Sequence, residues 1–113
     1  CMQDKAPVIW GDGTQTRDFV FIEDFVKAII KAGEIDYTGI INVGTGNPVS
    51  FNQLLEIINK KLNKNIKAEY IQKELNYVED LKADTNLMKT LLGFEAISPE
   101  QGISKFIDYL KNQ

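Results

Sequence analysis

The chain has 113 residues, of which 43% are apolar and 26% charged, and it carries a formal net charge of −3. This length and composition are typical of one soluble globular domain, and the acidic balance argues against a nucleic-acid partner, which would require a basic surface. No apolar run approaches the roughly 20 residues of a membrane span, so a membrane partner is not expected either.

Two residue types narrow the chemistry further. Histidine is absent, which excludes an imidazole base, a histidine-bearing metal site and a serine or cysteine nucleophile paired with histidine. The single cysteine, Cys1, excludes an internal disulfide and fits a reducing cytoplasm. The sequence begins with Cys1, followed by Met2, and not with an initiator methionine. The chain was therefore either processed or cut from a longer protein, and we expect the second.

The first half of the chain predicts a strand, a turn, a second strand and a helix. Residues 5–10 have the pattern of a short strand, and Phe19–Ile22 is apolar on both faces, which predicts a buried strand. A helix should begin near Glu23 and Asp24, whose charges suit the helix dipole, and end at Gly33. The apolar positions of this helix are Phe25, Val26, Ile29 and Ile30.

The second half predicts two more strands and three helices. The strands are a buried one at Gly39–Val43 and a half-exposed one at Ile66–Ile71. Residues that cap helix starts, by accepting hydrogen bonds from free backbone N–H groups, occur at Ser50, Asp84 and Ser98. The last helix is expected to bury Ile103, Phe106, Ile107 and Leu110. The alternation predicts a single α/β domain over residues 1–113, a small sheet of short, partly parallel strands flanked by about four helices.

Arg17 is the best candidate for a functional residue. It is the only arginine, beside 12 lysines, and follows a glycine turn at the start of the first predicted buried strand. A planar guanidinium held by a rigid strand suits bidentate binding of a phosphate or carboxylate. Pairing with one of the 16 acidic residues is the alternative, and from the residues alone both interpretations stay open. Trp10, just before the turn, is either a core residue or a stacking platform.

The glycines of the turns also have two interpretations. Gly11 and Gly13 are either turn residues or positions at which a missing side chain lets a ligand approach the backbone. Gly44-Thr45-Gly46 is not a dinucleotide fingerprint, because Val49 stands at the third glycine position of G-x-G-x-x-G, and a turn is expected there. For Asp18 we expect a hydrogen bond within its loop rather than catalysis.

The segment 11–24 resembles the Gly-Asp-Gly-x-x-x-Arg-Asp-Phe region of the extended short-chain dehydrogenase/reductase family, the NAD-dependent nucleotide-sugar epimerases and dehydratases. Further motifs follow in the family's order, including Asn42–Gly46, Ala83–Thr85 and Leu91–Phe94. The resemblance implies the C-terminal lobe of a partial Rossmann-type epimerase or dehydratase, with a nucleoside diphosphate-sugar as its ligand.

The resemblance also implies which residues meet that ligand. Arg17 would bind the diphosphate, whereas Gly11, Gly13, Gln15 and Tyr77 would line the nucleotide side. Residues 76–84 are most similar to the heptose-6-epimerase branch, in which an arginine-tyrosine pair precedes alanine-aspartate at the same distance. This chain has Asn76 in place of that arginine, so the sugar stays open. Tyr77 either contacts substrate or belongs to an amphipathic strand.

The family's reaction passes a hydride from the sugar to NAD and back, with a Tyr-x-x-x-Lys pair as acid and base. None of the four tyrosines has a lysine four residues later, and the cofactor glycine loop is absent. The resemblance therefore implies no catalytic residue, cofactor site or metal in this chain, NAD or NADP in a longer parent, and an N-terminal cofactor domain as partner. We predict that the isolated chain has no oxidoreductase activity.

Two further expectations concern the chain by itself. The alternative to a portion of an enzyme is a free-standing, non-catalytic module for nucleotide-sugar binding or assembly. Residues 40–43 are apolar on both faces and could lack a neighbouring strand, so we predict a homo-oligomer or an exchange of elements between copies.

Overall fold

The computed structural model describes residues 1–72 and 78–113 as an α/β fold with short strands and four helical segments, as predicted. The elements in chain order are β1 (Val8–Trp10), β2 (Thr16–Arg17), α1 (Ile22–Ala32), β3 (Val49–Ser50), α2 (Phe51–Leu62), β4 (Glu69–Ile71), a π-helical segment (Met88–Leu92) and α3 (Pro99–Lys111). Within the described ranges, every helix is too short or too polar to cross a membrane.

The strands pair in two short ladders, one parallel and one antiparallel. β1 runs parallel to β4, with Val8 opposite Glu69, and β2 runs antiparallel to β3, with Arg17 opposite Val49. A parallel bridge between Thr16 and Asp80 adds the segment after residue 77 to the edge of β2. The predicted small, partly parallel sheet is therefore confirmed, with ladders of two or three residue pairs.

Local capping starts α2 and α3 where the sequence predicts. The Ser50 hydroxyl accepts from the Gln53 N–H (3.1 Å), and the Gln53 side chain accepts from the Ser50 N–H (2.8 Å). Ser98 and Gln101 form the same reciprocal pair, both bonds at 3.2 Å. Each box satisfies two N–H groups that a helix start would otherwise leave without an acceptor.

The two predicted buried strands are wrong. Ile22 begins α1 and is 61% exposed, and Ile40 is 83% exposed. A strand buried on both faces needs neighbours for its backbone groups and cover for both sides. Within the described residues, neither Phe19–Ile22 nor Gly39–Val43 pairs with a strand. Both segments are therefore irregular, apart from Ile22, which belongs to α1.

The core is small, and α1 turns its most apolar side away from it. Ala28, Met88 and Leu92 are buried together, with Ile41 and Val43 packed against them. The residues predicted as the apolar face of α1 are 41–58% exposed: Phe25, Val26, Ile29 and Ile30. Of the residues expected to be buried by α3, Ile107 is buried, but Phe106 and Leu110 are exposed.

The overall shape is a slab that leaves apolar surface uncovered. Its principal extents are 47 × 39 × 18 Å. The accessible surface is 7824 Å², whereas a compact protein of this mass exposes about 6,300 Å². The excess of about 1,500 Å² is as large as one side of a substantial protein interface, at about 800 Å² per partner for a standard one.

Candidate functional site

The loop after β1 is hydrogen-bonded to the start of α2. Gly11 and Gly13 have φ angles of +76° and +80°, which glycine adopts without strain. The Asn52 N–H donates to the Gly13 carbonyl (3.0 Å), and the Asn52 side-chain amide donates to the Asp12 carbonyl (2.9 Å). A Cβ on Gly13 would lie 2.1 Å from Asn52 Oδ1. Backbone conformation and packing thus account for both glycines, and their contact with a ligand stays a prediction.

Gln15 fastens the same loop to the sheet. It is 3% exposed, and its side-chain amide donates to the carbonyl of Trp10. Its own carbonyl accepts from the N–H of Phe51 at 3.3 Å. These bonds fix the path of the chain into β2, and a direct contact of Gln15 with substrate stays a prediction.

Arg17 is held rigidly, although by other groups than the predicted strand. Its guanidinium donates to the carbonyls of Thr16 (2.7 Å), Val78 (2.7 Å) and Glu79 (3.3 Å). It also lies 5.8 Å from the centre of the Phe51 ring, within the range of a cation–π contact. The three carbonyls and the ring fix the plane of the guanidinium.

Asp18 ties three loops together. Its carboxylate accepts from the Thr45 N–H (2.8 Å), the Thr45 hydroxyl (2.7 Å), the Gly46 N–H (2.9 Å) and the Ala83 N–H (3.2 Å). Partial burial raises the pKa of Asp18, but the bonds from Thr45, Ala83 and Gly46 together lower it below its ordinary value. The carboxylate is hydrogen-bonded, but the expectation of a bond within its own loop is wrong, because its partners lie on two other loops.

The loops joined by Asp18 border a hollow of about 330 Å³. Its lining residues are Arg17, Asp18, Asn42, Val43, Leu81, Lys82 and Ala83. A neighbouring polar hollow of about 450 Å³ shares Lys82 and Ala83 with the first. Among the described residues that line the first hollow, Arg17 and Lys82 are cationic, and the carboxylate of Asp18 accepts from backbone N–H groups. This composition suits an anionic ligand.

The remaining candidates divide between two regions. Trp10 is 38% exposed rather than core, and it lines a hollow of about 220 Å³ with Val8, Ile9 and Phe51. Tyr77 lies outside the described residues, and its contact with substrate stays a prediction. Throughout the described ranges, no three or more acidic or cysteine side chains come together as a metal site.

Asp18 is the residue whose importance the sequence did not predict. Its partners are 27, 28 and 65 positions away, so no local pattern indicates them. The one available signal was a charged residue beside an apolar segment.

The comparisons with known proteins agree with one another. Residues 1–44 match the profile of the NAD dependent epimerase/dehydratase family. Over 111 residues the chain is 37% identical to the UDP-glucuronate 4-epimerase of Thermodesulfobacterium geofontis, a match that covers 96% of this chain and 34% of that protein.

Solved structures of similar enzymes superpose on nearly the whole chain. The UDP-N-acetylglucosamine 4-epimerase from Methanobrevibacter ruminantium, in complex with UDP-N-acetylmuramic acid, gives a TM-score of 0.89 at 30% identity and covers 99% of this chain and 36% of that one. The UDP-glucuronic acid 4-epimerase from Bacillus cereus, in complex with UDP-glucuronic acid and NAD, gives 0.86 at 29% identity, with 98% and 37% covered.

The chain spans about a third of the length of each of these proteins. The profile match, the sequence relative and the two structures all concern enzymes of the same kind. Together they show that this chain is similar to one part of enzymes of the NAD dependent epimerase/dehydratase family.

Proposed function

We propose that the chain is the C-terminal, substrate-binding portion of an NAD(P)-dependent nucleotide-sugar epimerase or dehydratase. Its own task is to hold the nucleoside diphosphate of the substrate. The observation that carries this proposal is Arg17, fixed by carbonyls and a ring at the rim of a 330 Å³ hollow, within the motif that resembles the family.

Binding would depend on charge and on a preset geometry. The Arg17 guanidinium donates to diphosphate oxygens, and such charge-assisted bonds are about twice as strong as neutral ones. Since carbonyls and the Phe51 ring already hold the side chain, little of its entropy remains to be lost on binding. The loop residues Gly11, Gly13 and Gln15, together with Tyr77, line the nucleotide side in this proposal.

The residues present do not fit a dinucleotide cofactor. The turn Gly44–Gly46 resembles a phosphate-binding loop in outline, but the N–H groups of Thr45 and Gly46 donate to Asp18. These donors are therefore directed at a protein carboxylate rather than at a pyrophosphate. In this proposal NAD or NADP binds elsewhere in the parent enzyme, and the acid-base pair lies there too.

An N-terminal cofactor domain is the proposed partner of the exposed apolar surface. The outward face of α1 and the side chain of Ile40 are exposed apolar surface. The chain spans about a third of the length of its relatives. An adjoining domain would cover these side chains and supply neighbours to Gly39–Val43. The excess surface of about 1,500 Å² is sufficient for such an interface.

The substrate branch is a finer proposal. Residues 76–84 resemble the heptose-6-epimerase branch, but Asn76 replaces the arginine of that branch. The relatives described above are named for UDP-sugars. We therefore choose a uridine nucleotide as the first test ligand and leave the heptose branch as the alternative.

The test compares UDP and uridine binding by titration calorimetry on the 113-residue chain. Arg17→Ala should raise the dissociation constant for UDP at least tenfold, and Arg17→Lys should restore only part of it, because an ammonium cannot form the planar fork. Uridine should bind weakly and alike to all variants. Lys67→Ala, which removes an exposed cation between α2 and β4, is the control.

Equal UDP affinity of the wild type and Arg17→Ala would refute the diphosphate assignment. The free-standing binding module is distinguished by the intact mass of the protein in its source cells. A species larger by a domain of about 100–200 residues supports the enzyme portion, whereas a species of 12.8 kDa favours the module.

A further inference from the structure

Asp18 lines the 330 Å³ hollow and is hydrogen-bonded to the loops around it. It follows Arg17 directly, and its carboxylate receives three backbone N–H groups and one hydroxyl. The donors belong to two loops that also line the two adjoining hollows, at Thr45–Gly46 and at Ala83. A single side chain thus connects β2 to both loops.

Arg17 and Asp18 hold the segment 78–83 from its two ends. Arg17 donates to the carbonyls of Val78 and Glu79, and Asp18 accepts from the N–H of Ala83. Between these points the Leu81 N–H donates to the Thr16 carbonyl at 3.1 Å. The segment that carries Lys82 is therefore fixed against β2 on either side of that lysine.

Lys82 itself has no anchor of its own. Within residues 1–72 and 78–113 no hydrogen bond or ion pair of Lys82 is present, and the residue is exposed. Its backbone precedes Ala83, whose N–H is bound by Asp18 at 3.2 Å. On its C-terminal side, the backbone of Lys82 is thus held by the Asp18 carboxylate.

The surroundings of Asp18 are closely packed on the side of Gly44. A Cβ added to Gly44 would lie 3.0 Å from Asp18 Oδ2 and 2.7 Å from Ala83 Cβ. The glycine backbone, the carboxylate and Ala83 are therefore in close contact. If the carboxylate is lost, the N–H groups of Thr45, Gly46 and Ala83 lose the acceptor that they share.

We propose that Asp18 is the positioning residue of the anion site, because it binds the segment that carries Lys82 beside Arg17, so that both cations line one hollow and reach the same ligand. This inference rests on the proposed function, since it concerns how the diphosphate is held. Lys82 is the second binding residue, and Asp18 acts through it and Arg17 without touching the ligand.

The test replaces Asp18 by Asn, which keeps the size but puts an N–H₂ group where one of the backbone donors needs an acceptor. The control is Asn59→Ala. Asn59 accepts from the Ile66 N–H (3.0 Å) and donates to the Ile66 carbonyl (2.8 Å), so it also fixes a loop, away from the hollow. UDP affinity is measured by calorimetry, at a temperature at which circular dichroism finds each variant folded.

We expect Asp18→Asn to weaken UDP binding at least tenfold and Lys82→Ala to weaken it three- to tenfold, whereas Asn59→Ala lowers the melting temperature without changing affinity. UDP binding to Asp18→Asn that equals that of Asn59→Ala would overturn the inference. If Asp18→Asn does not fold, Thr45→Val decides, because it removes the hydroxyl bond to Asp18 (2.7 Å) and keeps the backbone donors to the carboxylate. It also removes the bond that the hydroxyl accepts from the Asn47 N–H (3.0 Å). Wild-type affinity in that variant would count against the positioning role.

A second measurement separates this inference from the proposed function. Because the chain contains one arginine, its Nε–Hε group gives a single assigned NMR resonance. Asp18→Asn should shift that resonance and the amide resonance of Lys82, whereas Asn59→Ala should leave both in place. Failure of the wild type to bind UDP would refute the proposed function, and unshifted resonances in Asp18→Asn would refute the positioning role independently.

Discussion

Replacing Gly44 by alanine places a methyl group into the contact that joins the loops of the site. The added Cβ would lie 2.7 Å from Ala83 Cβ and 3.0 Å from Asp18 Oδ2. Both distances are shorter than ordinary van der Waals contact, and Ala83 cannot rotate away because its Cβ is fixed to the backbone. The φ angle of Gly44 is not positive, so backbone strain plays no part and the effect is steric.

The expected loss of stability has two sources. Overpacking of a close contact costs about 1–3 kcal/mol, and displacing the Asp18 carboxylate weakens hydrogen bonds to a charged group worth about 1.5–3 kcal/mol each. With only partial loss of these bonds we expect a decrease of about 2–4 kcal/mol in the free energy of unfolding. For a chain of this size this lowers the melting temperature by roughly 10–20 °C.

The assay is urea unfolding followed by circular dichroism, with Gly33→Ala as the matched control. Gly33 ends α1 with φ of −69°, and a Cβ there would meet nothing closer than the Ile30 carbonyl at 3.4 Å. The same chemical change at Gly33 should therefore stabilise the chain by about 0.4–1 kcal/mol, because it restricts the unfolded state. A Gly44→Ala protein as stable as the wild type would refute the reasoning.

Three further predictions concern charge, association and capping. Folding lowers the pKa of Asp18 below its ordinary value of 3.8. The stability that the ionised carboxylate contributes is therefore complete above pH 3.8 and is lost as the pH falls through the folded pKa. Asp18→Asn should flatten this part of the stability–pH curve, and an unchanged slope would contradict the prediction. The wild type should self-associate in sedimentation equilibrium, and Ile29→Lys, at a position 58% exposed, should weaken that association; a strictly monomeric wild type at high concentration counts against the exposed face as an interface. Ser98→Ala should cost about 1 kcal/mol in urea unfolding through loss of the helix cap, and an unaltered midpoint would show that the cap contributes nothing.

Helix starts were predictable because capping depends on residues close in sequence. Ser50 and Gln53 are three residues apart, as are Ser98 and Gln101, and both pairs form the expected reciprocal bonds. Gly33 likewise ends α1. In each case the information needed is contained in one turn of chain.

Strands and burial were less predictable because they depend on distant neighbours. The apolar patterns of Phe19–Ile22 and Gly39–Val43 predict cover on both faces, which the described residues do not supply. The outward face of α1 follows the same rule, since Phe25 and Ile29 indicate burial without identifying what buries them. A chain that spans about a third of its relatives can carry such patterns with their partners elsewhere.

The candidate site was predictable in part. The chemistry of Arg17, a single arginine beside a glycine turn, singled it out from the sequence. Its acceptors at Val78 and Glu79 are 61 and 62 positions away, and the Asp18 partners are up to 65 positions away. No periodicity or local motif contains contacts of that separation, so the connection of the loops through Asp18 required the structure.

The measurement that tests the central claim most directly is a titration of the ¹⁵N-labelled chain with UDP, followed through the Nε–Hε resonance of its one arginine. If Arg17 holds the diphosphate, the resonance should move in a saturable manner with UDP and stay in place with uridine at the same concentrations. A resonance that UDP leaves unmoved while other residues respond would place the nucleotide away from Arg17 and contradict the account.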